Sequence, residues 1–187
     1  MILHGFHSGS IHLHSIITPF KPLSPHHNVL SAVIPKHGLV QKDMITIYFD
    51  GLCRPRNPGG VATYGYVIYK DGKKVRCGYG VVGSGAGMTN NVAEYSALKC
   101  AAEWVRENCS EDKIVIRGDS RLVIHQMNGT WQIKSETSKK FIPEIRKLLE
   151  GRKTRFIWIP REQNTEADLL SNIAYNQTGR EPQDSTG

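Results

Sequence analysis

Ile45-Thr46-Ile47-Tyr48-Phe49-Asp50-Gly51 is the stretch that most constrains how this chain can fold. Its apolar residues fall on alternate positions, the period-two pattern of a strand with one buried face. The run then stops on an acid, and Gly51 lets the backbone turn away. A single acid at a strand end normally marks only the point where the strand reaches water. Here the device recurs, because Ile114-Val115-Ile116-Arg117-Gly118-Asp119-Ser120 is a second apolar run closed by an acid. Two more acids, Glu94 and Asp168, open helical patterns that follow polar loops. A fold that sends both strand ends and both helix starts to one side would gather four carboxylates.

The order of elements permits this. After the first strand comes a loop over residues 52–60. Strands over about 62–70 and 73–82 are joined by Asp71-Gly72, a strong two-residue hairpin signal. Gly83-Ser84-Gly85-Ala86-Gly87 breaks the sheet, and Thr89 has the position of a helix N-cap. The helix that follows carries Val92, Tyr95, Leu98, Ala101, Ala102 and Val105 along one stripe and ends near Asn108. A fourth strand over 114–117 leads into a short helix with Leu122, Val123 and Met127, ended by Asn128-Gly129. A helix over about 136–149 is set by Phe141, Ile145 and Leu148. A last strand over 154–159 and a final helix over 165–175, which contains Asp168, complete the pattern. The order βββαβααβα implies an α/β fold. Its five-stranded mixed sheet has three antiparallel strands and then parallel ones reached through helices.

The 187 residues suit one domain with one sizeable core, and 39% hydrophobic with 22% charged residues is ordinary for a globular chain. A net charge of +7 favours a polyanionic partner such as nucleic acid. Cys53, Cys77, Cys100 and Cys109 form no C-x-x-C pair, which implies free thiols in a reducing compartment, hence the cytoplasm. No apolar run approaches the roughly 18 residues that cross a membrane, so no membrane partner is expected. Residues 1–43 differ from the rest, with seven of the eight histidines, four prolines and no acid before Asp43. They read as a disordered extension without a secretory signal, and Met44 is a candidate natural start. Residues 44–175 read as the folded domain and 176–187 as a polar tail.

Four carboxylates in one place repel each other. Two charges about 5 Å apart cost roughly 3 kcal/mol at an effective dielectric near 20. Hard divalent ions with oxygen ligands remove that penalty, and Mg²⁺ suits a carboxylate–water–phosphate site. In an open α/β sheet such sites lie outside the carboxyl ends of strands, where Asp50 and Asp119 fall.

With these motifs in place the chain resembles type 1 ribonuclease H, and more narrowly the archaeal-type branch of that family. The matching stretches are Tyr48-Phe49-Asp50-Gly51, Asn57-Pro58-Gly59-Gly60, Thr89-Asn90-Asn91-Val92-Ala93-Glu94-Tyr95, Gly118-Asp119-Ser120, Trp158-Ile159-Pro160-Arg161-Glu162 and Glu166-Ala167-Asp168. The resemblance implies a ribonuclease H-like fold and hydrolysis of the RNA strand of RNA–DNA hybrids to 5′-phosphate and 3′-hydroxyl ends. It implies that Asp50, Glu94, Asp119 and Asp168 hold two Mg²⁺ ions, with Mn²⁺ as a substitute. Gly51, Asn57, Asn90 and Asn91 would contact the minor groove and sugars, and Thr89 the DNA-strand phosphate. Amides and backbone groups suit a wide minor groove with 2′-hydroxyls. Double-stranded RNA is a further candidate substrate, and a monomer is expected.

Three departures from the bacterial pattern stand out. The loop Pro160-Arg161-Glu162-Gln163-Asn164 lacks the histidine that many bacterial members carry, and Arg161 occupies that neighbourhood as a fixed cation. His125 is placed on a helix surface instead. The segment 128–135 is too short for a basic handle, although Lys134, Lys139, Lys140 and Trp131 lie nearby. Arg121 stands where a glutamine is common. Two other readings remain open: a catalytically weak nucleic-acid-binding module on the same fold, and a detached reverse-transcriptase-type ribonuclease domain. All four acids are present, which argues against the first, and no polymerase-like sequence flanks the core, which argues against the second.

Overall fold

The computed structural model describes residues 43–179. The extension expected over 1–43 lies outside the described residues except for Asp43, and so does most of the tail expected over 176–187. One five-stranded sheet runs in the order β3-β2-β1-β4-β5. Its strands are β1 (Met44–Arg54), β2 (Val61–Lys70), β3 (Lys73–Ser84), β4 (Lys113–Gly118) and β5 (Lys153–Trp158). The first three pair antiparallel, and β1–β4 and β4–β5 pair parallel, as the element order implied. Asp71 and Gly72 turn the β2–β3 hairpin with φ of 50° and 77°, the left-handed pair such a turn requires.

Four helices flank the sheet: α1 (Asn90–Asn108), α2 (Arg121–Met127), α3 (Glu136–Leu148) and α4 (Thr165–Asn176). Ile45, Ile47 and Phe49 of β1 and Ile114 and Ile116 of β4 are fully buried in one core with Tyr95, Leu98 and Val105 of α1. Val123 and Ile124 of α2 and Ile142 and Ile145 of α3 close the same core. On the other side α4 packs across β2, β1 and β3, and Thr63 Oγ1 donates to the Ser171 carbonyl at 2.9 Å. A short 3₁₀ turn, Arg161–Gln163, precedes α4 where the sequence implied only a loop.

Two boundaries correct the sequence reading. β3 runs through Gly83 to Ser84, where a break after residue 82 was expected, because both stay paired with Ala62 and Val61 of β2. β1 does not end at Asp50 but continues to Arg54, because its pairing with β2 runs through Asp50↔Gly65 to Arg54↔Val61. What stops near Asp50 is the other ladder, whose last β1–β4 rung is Tyr48↔Arg117. The two central strands part there, and the parting sets the position of the site.

Both helix layers approach the sheet around Asp50 through glycines, Gly51 next to it in β1 and Gly65 its partner in β2. A Cβ on Gly51 would lie 2.2 Å from the Glu94 backbone nitrogen, and one on Gly65 would lie 2.5 Å from the Ala167 carbonyl oxygen. Both obstacles are backbone, which cannot move aside without moving a helix. Gly83 differs, since its nearest neighbour is the flexible Met88 thioether at 3.2 Å. Overpacking costs typically about 1–3 kcal/mol, so Gly51→Ala and Gly65→Ala should each lower unfolding free energy by that amount or more. Gly83→Ala should stay near wild type. Urea denaturation of the three variants checks this, and an undisturbed Gly51→Ala would refute the close-approach account.

Candidate active site

Three of the four acids meet where β1 and β4 part. Asp50, Glu94 and Asp119 each offer a carboxylate oxygen, and these lie within 4.8 Å of one another. Asp50 comes from within β1 and is only 4% exposed. Asp119 follows directly on Gly118, the last residue of β4. Glu94 sits near the start of α1, whose N-cap Thr89 accepts a hydrogen bond from the Val92 nitrogen at 3.1 Å. The same Gly51 that lets α1 approach places Glu94 beside Asp50.

Side chains from the α4 side hold these carboxylates. Asn164, 1% exposed, donates from its amide to the Phe49 carbonyl at 2.8 Å and to Asp119 Oδ1 at 2.7 Å, bridging the parting. Ser171 donates its hydroxyl proton to Asp50 Oδ2. The Trp158 indole donates to the Asp119 carbonyl at 3.0 Å, and the Arg121 guanidinium lies 4.6 Å over that indole ring. Arg121 is thus stacked on Trp158, a use that its residue type did not disclose.

Asp168 stands slightly apart and does not join the three-oxygen cluster. Its Oδ1 is ion-paired with Arg161, and Asn172 donates to its Oδ2 at 3.2 Å. It is close enough to act on Asp50 electrostatically. Burial pushes the Asp50 carboxyl up to about 6; the Ser171 bond and Arg161 oppose this, and Asp119 and Asp168 add to it. Burial raises Glu94 well above the usual carboxylate range, with Asp50 and Asp119 contributing. Glu94 is only partly buried as a residue, yet its Oε2 is sealed from solvent with no hydrogen-bond partner among the described residues. A buried acceptor without a donor calls for another partner. An all-oxygen cluster with such an orphan fits a hard divalent cation.

A polar cleft of about 180 Å³ opens over the cluster, lined by the three acids together with Arg54, Asn90 and Arg161. Asn90 Oδ1 accepts from the Cys53 nitrogen at 2.6 Å, and Asn57 Oδ1 accepts from the Asn90 nitrogen at 3.1 Å. With both carbonyl ends used internally, the two amide NH₂ groups remain as donors. Asn57, Thr89 and the exposed Asn91 lie on the surrounding loop and helix start rather than in the cleft wall, and Gly51 lies in the wall. His125, away from the acids, bonds Thr130 Oγ1 at 3.0 Å and stacks on Trp131. The buried Gln126 accepts from Tyr95 and Ser138 and donates to the Gln132 carbonyl, pinning the short segment where a handle is missing.

Sequence reasoning missed Asn164 and Ser171. Asn164 stands directly before a helix, where an asparagine reads as a cap, but its side chain makes no capping bond. Ser171 follows Asp168 by three positions, one helical turn on, which was the available signal.

The comparisons with known proteins agree with this geometry. The family described as "Reverse transcriptase-like" matches residues 49–174. A Halobacterium salinarum protein named ribonuclease HI is 38% identical over 141 residues, covering 73% of this chain and 68% of that one. An uncharacterised Bacillus subtilis protein, YpeP, is 36% identical over 134 residues, of whose length this chain spans 58%. Among solved structures, LC11-RNase H1 in complex with an RNA/DNA hybrid superposes with a TM-score of 0.66 at 33% identity. That match covers 73% of this chain and 99% of the other. The chain belongs to the type 1 ribonuclease H family, a family of RNA–DNA hybrid endoribonucleases, and its likeness to the halobacterial protein accords with the archaeal-type branch expected from its motifs.

Proposed function

We propose that the chain hydrolyses the RNA strand of RNA–DNA hybrids, leaving 5′-phosphate and 3′-hydroxyl ends. The observation that carries this is the three-oxygen cluster of Asp50, Glu94 and Asp119 at the floor of a polar cleft. Asp50, Glu94, Asp119 and Asp168 would hold two Mg²⁺ ions, or Mn²⁺, which when bound lower the pKa of an attacking water and neutralise charge at the phosphate. The residues of the chain do the positioning. Asn164 and Ser171 fix the Asp119 and Asp50 carboxylates, so their geometry is set before substrate arrives. The amide donors of Asn57 and Asn90, with Asn91, Gly51 and Thr89 around them, face a hybrid that presents acceptors in its minor groove and on its sugars.

Arg161 has a defined task in this reading. It holds Asp168 at the cleft rim and adds a permanent positive charge beside a site that must receive phosphate. An arginine stays charged, so it cannot shuttle a proton near neutrality as a histidine can. The monomeric state and cytoplasmic location are proposed with the activity; the described cysteines are all free thiols. Among the described residues no helix is long and apolar enough to cross a membrane.

Asp119→Asn keeps the shape of the site but removes a ligand charge, so hybrid cleavage should vanish while hybrid binding survives. A labelled hybrid, followed by gel for cleavage and by anisotropy for binding, reads both, and wild-type-like turnover by this variant would sink the assignment. The same loss with intact binding also separates an enzyme from a binding module, which would show no cleavage in the wild type either. Arg161→Ala should slow single-turnover cleavage roughly ten- to hundredfold, the equivalent of one charge-assisted contact of about 1.5–3 kcal/mol. Arg161→Lys should recover part of it. Equal rates for wild type and Arg161→Ala would leave the residue an ordinary loop cation.

A further inference from the structure

α4 covers only part of its side of the sheet. It packs on β1, β2 and β3, while α2 and α3 join α1 on the opposite side. Among the described residues no helix packs over the α4 side of β4 and β5. The register shows what this leaves open. Ile114 and Ile116 are buried toward α1, so Lys113, Val115 and Arg117 face the other way. Their β5 partners Lys153, Arg155 and Ile157 face with them, and Tyr48 of β1 stands beside Arg117. Four of these six β4 and β5 residues are cations and none is an acid.

Edge protection accounts for the cations of β5, whose free edge must not pair with another chain. It does not account for β4, which is flanked by β1 and β5. On that interior strand Arg117 is half-buried and its Nε is sealed from solvent without a hydrogen-bond partner. No carboxylate among the described residues pairs with it. That nitrogen has lost its water without gaining an acceptor, and the group as a whole has no counter-charge among the described residues, a position that an arriving anion would satisfy. Beside it the sheet face enters an open cleft of about 400 Å³ lined by Tyr48, Val67 and Tyr69, with Gln163 and Asn164 in its wall. Tyr48 and Tyr69 meet edge to face at 5.8 Å. Glu166 lines this cleft, where it accepts from the Tyr69 hydroxyl at 2.9 Å and pairs with Lys74 at 2.7 Å, so its charge is already met. Asp50, Glu94, Asp119 and Asp168 do not line it, and it backs onto the candidate active site through Asn164.

We propose that this open sheet face is a second nucleic-acid surface, which takes single-stranded nucleic acid with phosphates along Lys113, Arg117, Lys153 and Arg155 and bases against Tyr48 and Tyr69. Single strands are held by this combination of a basic track with aromatic platforms, and such binding weakens steeply with salt. An acidic peptide would meet the same cations but gain nothing from the aromatic floor. Binding on this face needs none of the four carboxylates of the candidate active site and no metal, so it stands or falls independently of the cleavage reading.

The test is fluorescence anisotropy with labelled oligothymidylate and oligouridylate, in chelator, against the full-length chain. Wild type is compared with Lys113→Glu/Lys153→Glu/Arg155→Glu, three exposed positions, and with Arg106→Glu/Arg146→Glu/Lys147→Glu, an equal charge change on α1 and α3. Melting temperatures verify that both variants fold. The sheet-face variant should lose at least about tenfold in affinity, with its log–log salt slope reduced by about two, as expected at roughly 0.7 per lost phosphate contact. The helix variant should change little. Equal affinity for the two oligonucleotides assigns the surface to either kind of strand, and a preference names the strand it holds. Absence of binding by the wild type, or equal losses in both variants, would overturn the proposal. Face-dependent binding of polyglutamate without binding of either oligonucleotide would replace nucleic acid with an acidic peptide.

Discussion

Mutual repulsion among carboxylates is the constraint on which the rest of this structure depends. Three carboxylate oxygens within 4.8 Å cost roughly 3 kcal/mol per ionised pair at an effective dielectric near 20. The fold offsets this only in part. Asp119 receives the Asn164 amide, Asp50 the Ser171 hydroxyl, and Asp168 the Arg161 guanidinium. Glu94 Oε2 receives nothing. Burial adds to the repulsion: it is the main cause that pushes Asp50 up to about 6 and raises Glu94 well above the usual range, and the neighbouring acids contribute. A site whose buried acids prefer protons in the metal-free protein is one in which divalent cations compete with protons for the same oxygens.

The sheet creates the position and the helices deliver the ligands. β1 pairs with β4 only up to Tyr48, while its antiparallel ladder with β2 runs on to Arg54. α1 closes on β1 at Gly51, beside this gap, and α4 closes on the opposite face of the sheet at Gly65, the β2 partner of Asp50. Asn164 bridges the gap, bonded both to the Phe49 carbonyl of β1 and to Asp119 after β4. The geometry of the carboxylates therefore rests on backbone approach distances, which are stiff, rather than on long side chains, which are not.

Much of this was legible in the chain. Alternation in β1 and β4, the Asp71-Gly72 turn and the Thr89 cap are local signals, and each appeared where its local physics put it. The four acids were legible because each stood next to a break in periodicity. The continuation of β1 past Asp50 was not legible, since Gly51 reads locally as a stop while its actual service is to admit α1 at close range. Asn164 and Ser171 escaped for a related reason. Their partners lie 45 and 121 residues away in sequence; locally Asn164 reads as a cap, and the one signal for Ser171 is its place one helical turn after Asp168. Arg117 was read only as part of a strand; its lack of a counter-charge emerges once β4 is seen to be interior.

Thermal denaturation with and without Mg²⁺ at two pH values reads whether the gathered acids form a divalent cation site. The folded Asp50 carboxyl, at about 6 against an ordinary 3.8, binds its proton more tightly than the unfolded chain does. Its ionisation therefore costs stability, by roughly 3 kcal/mol for a shift of about two units. The cost is absent below about pH 4, grows as pH rises toward 6 and is constant above that. Mg²⁺ should therefore raise the melting temperature clearly at pH 7.5, where the Asp50 carboxyl is ionised, and much less at pH 4.5, where a proton occupies it. Asp119→Asn should shrink the shift at pH 7.5. A wild-type melting temperature indifferent to Mg²⁺ at pH 7.5, or raised equally at both pH values, would contradict the account.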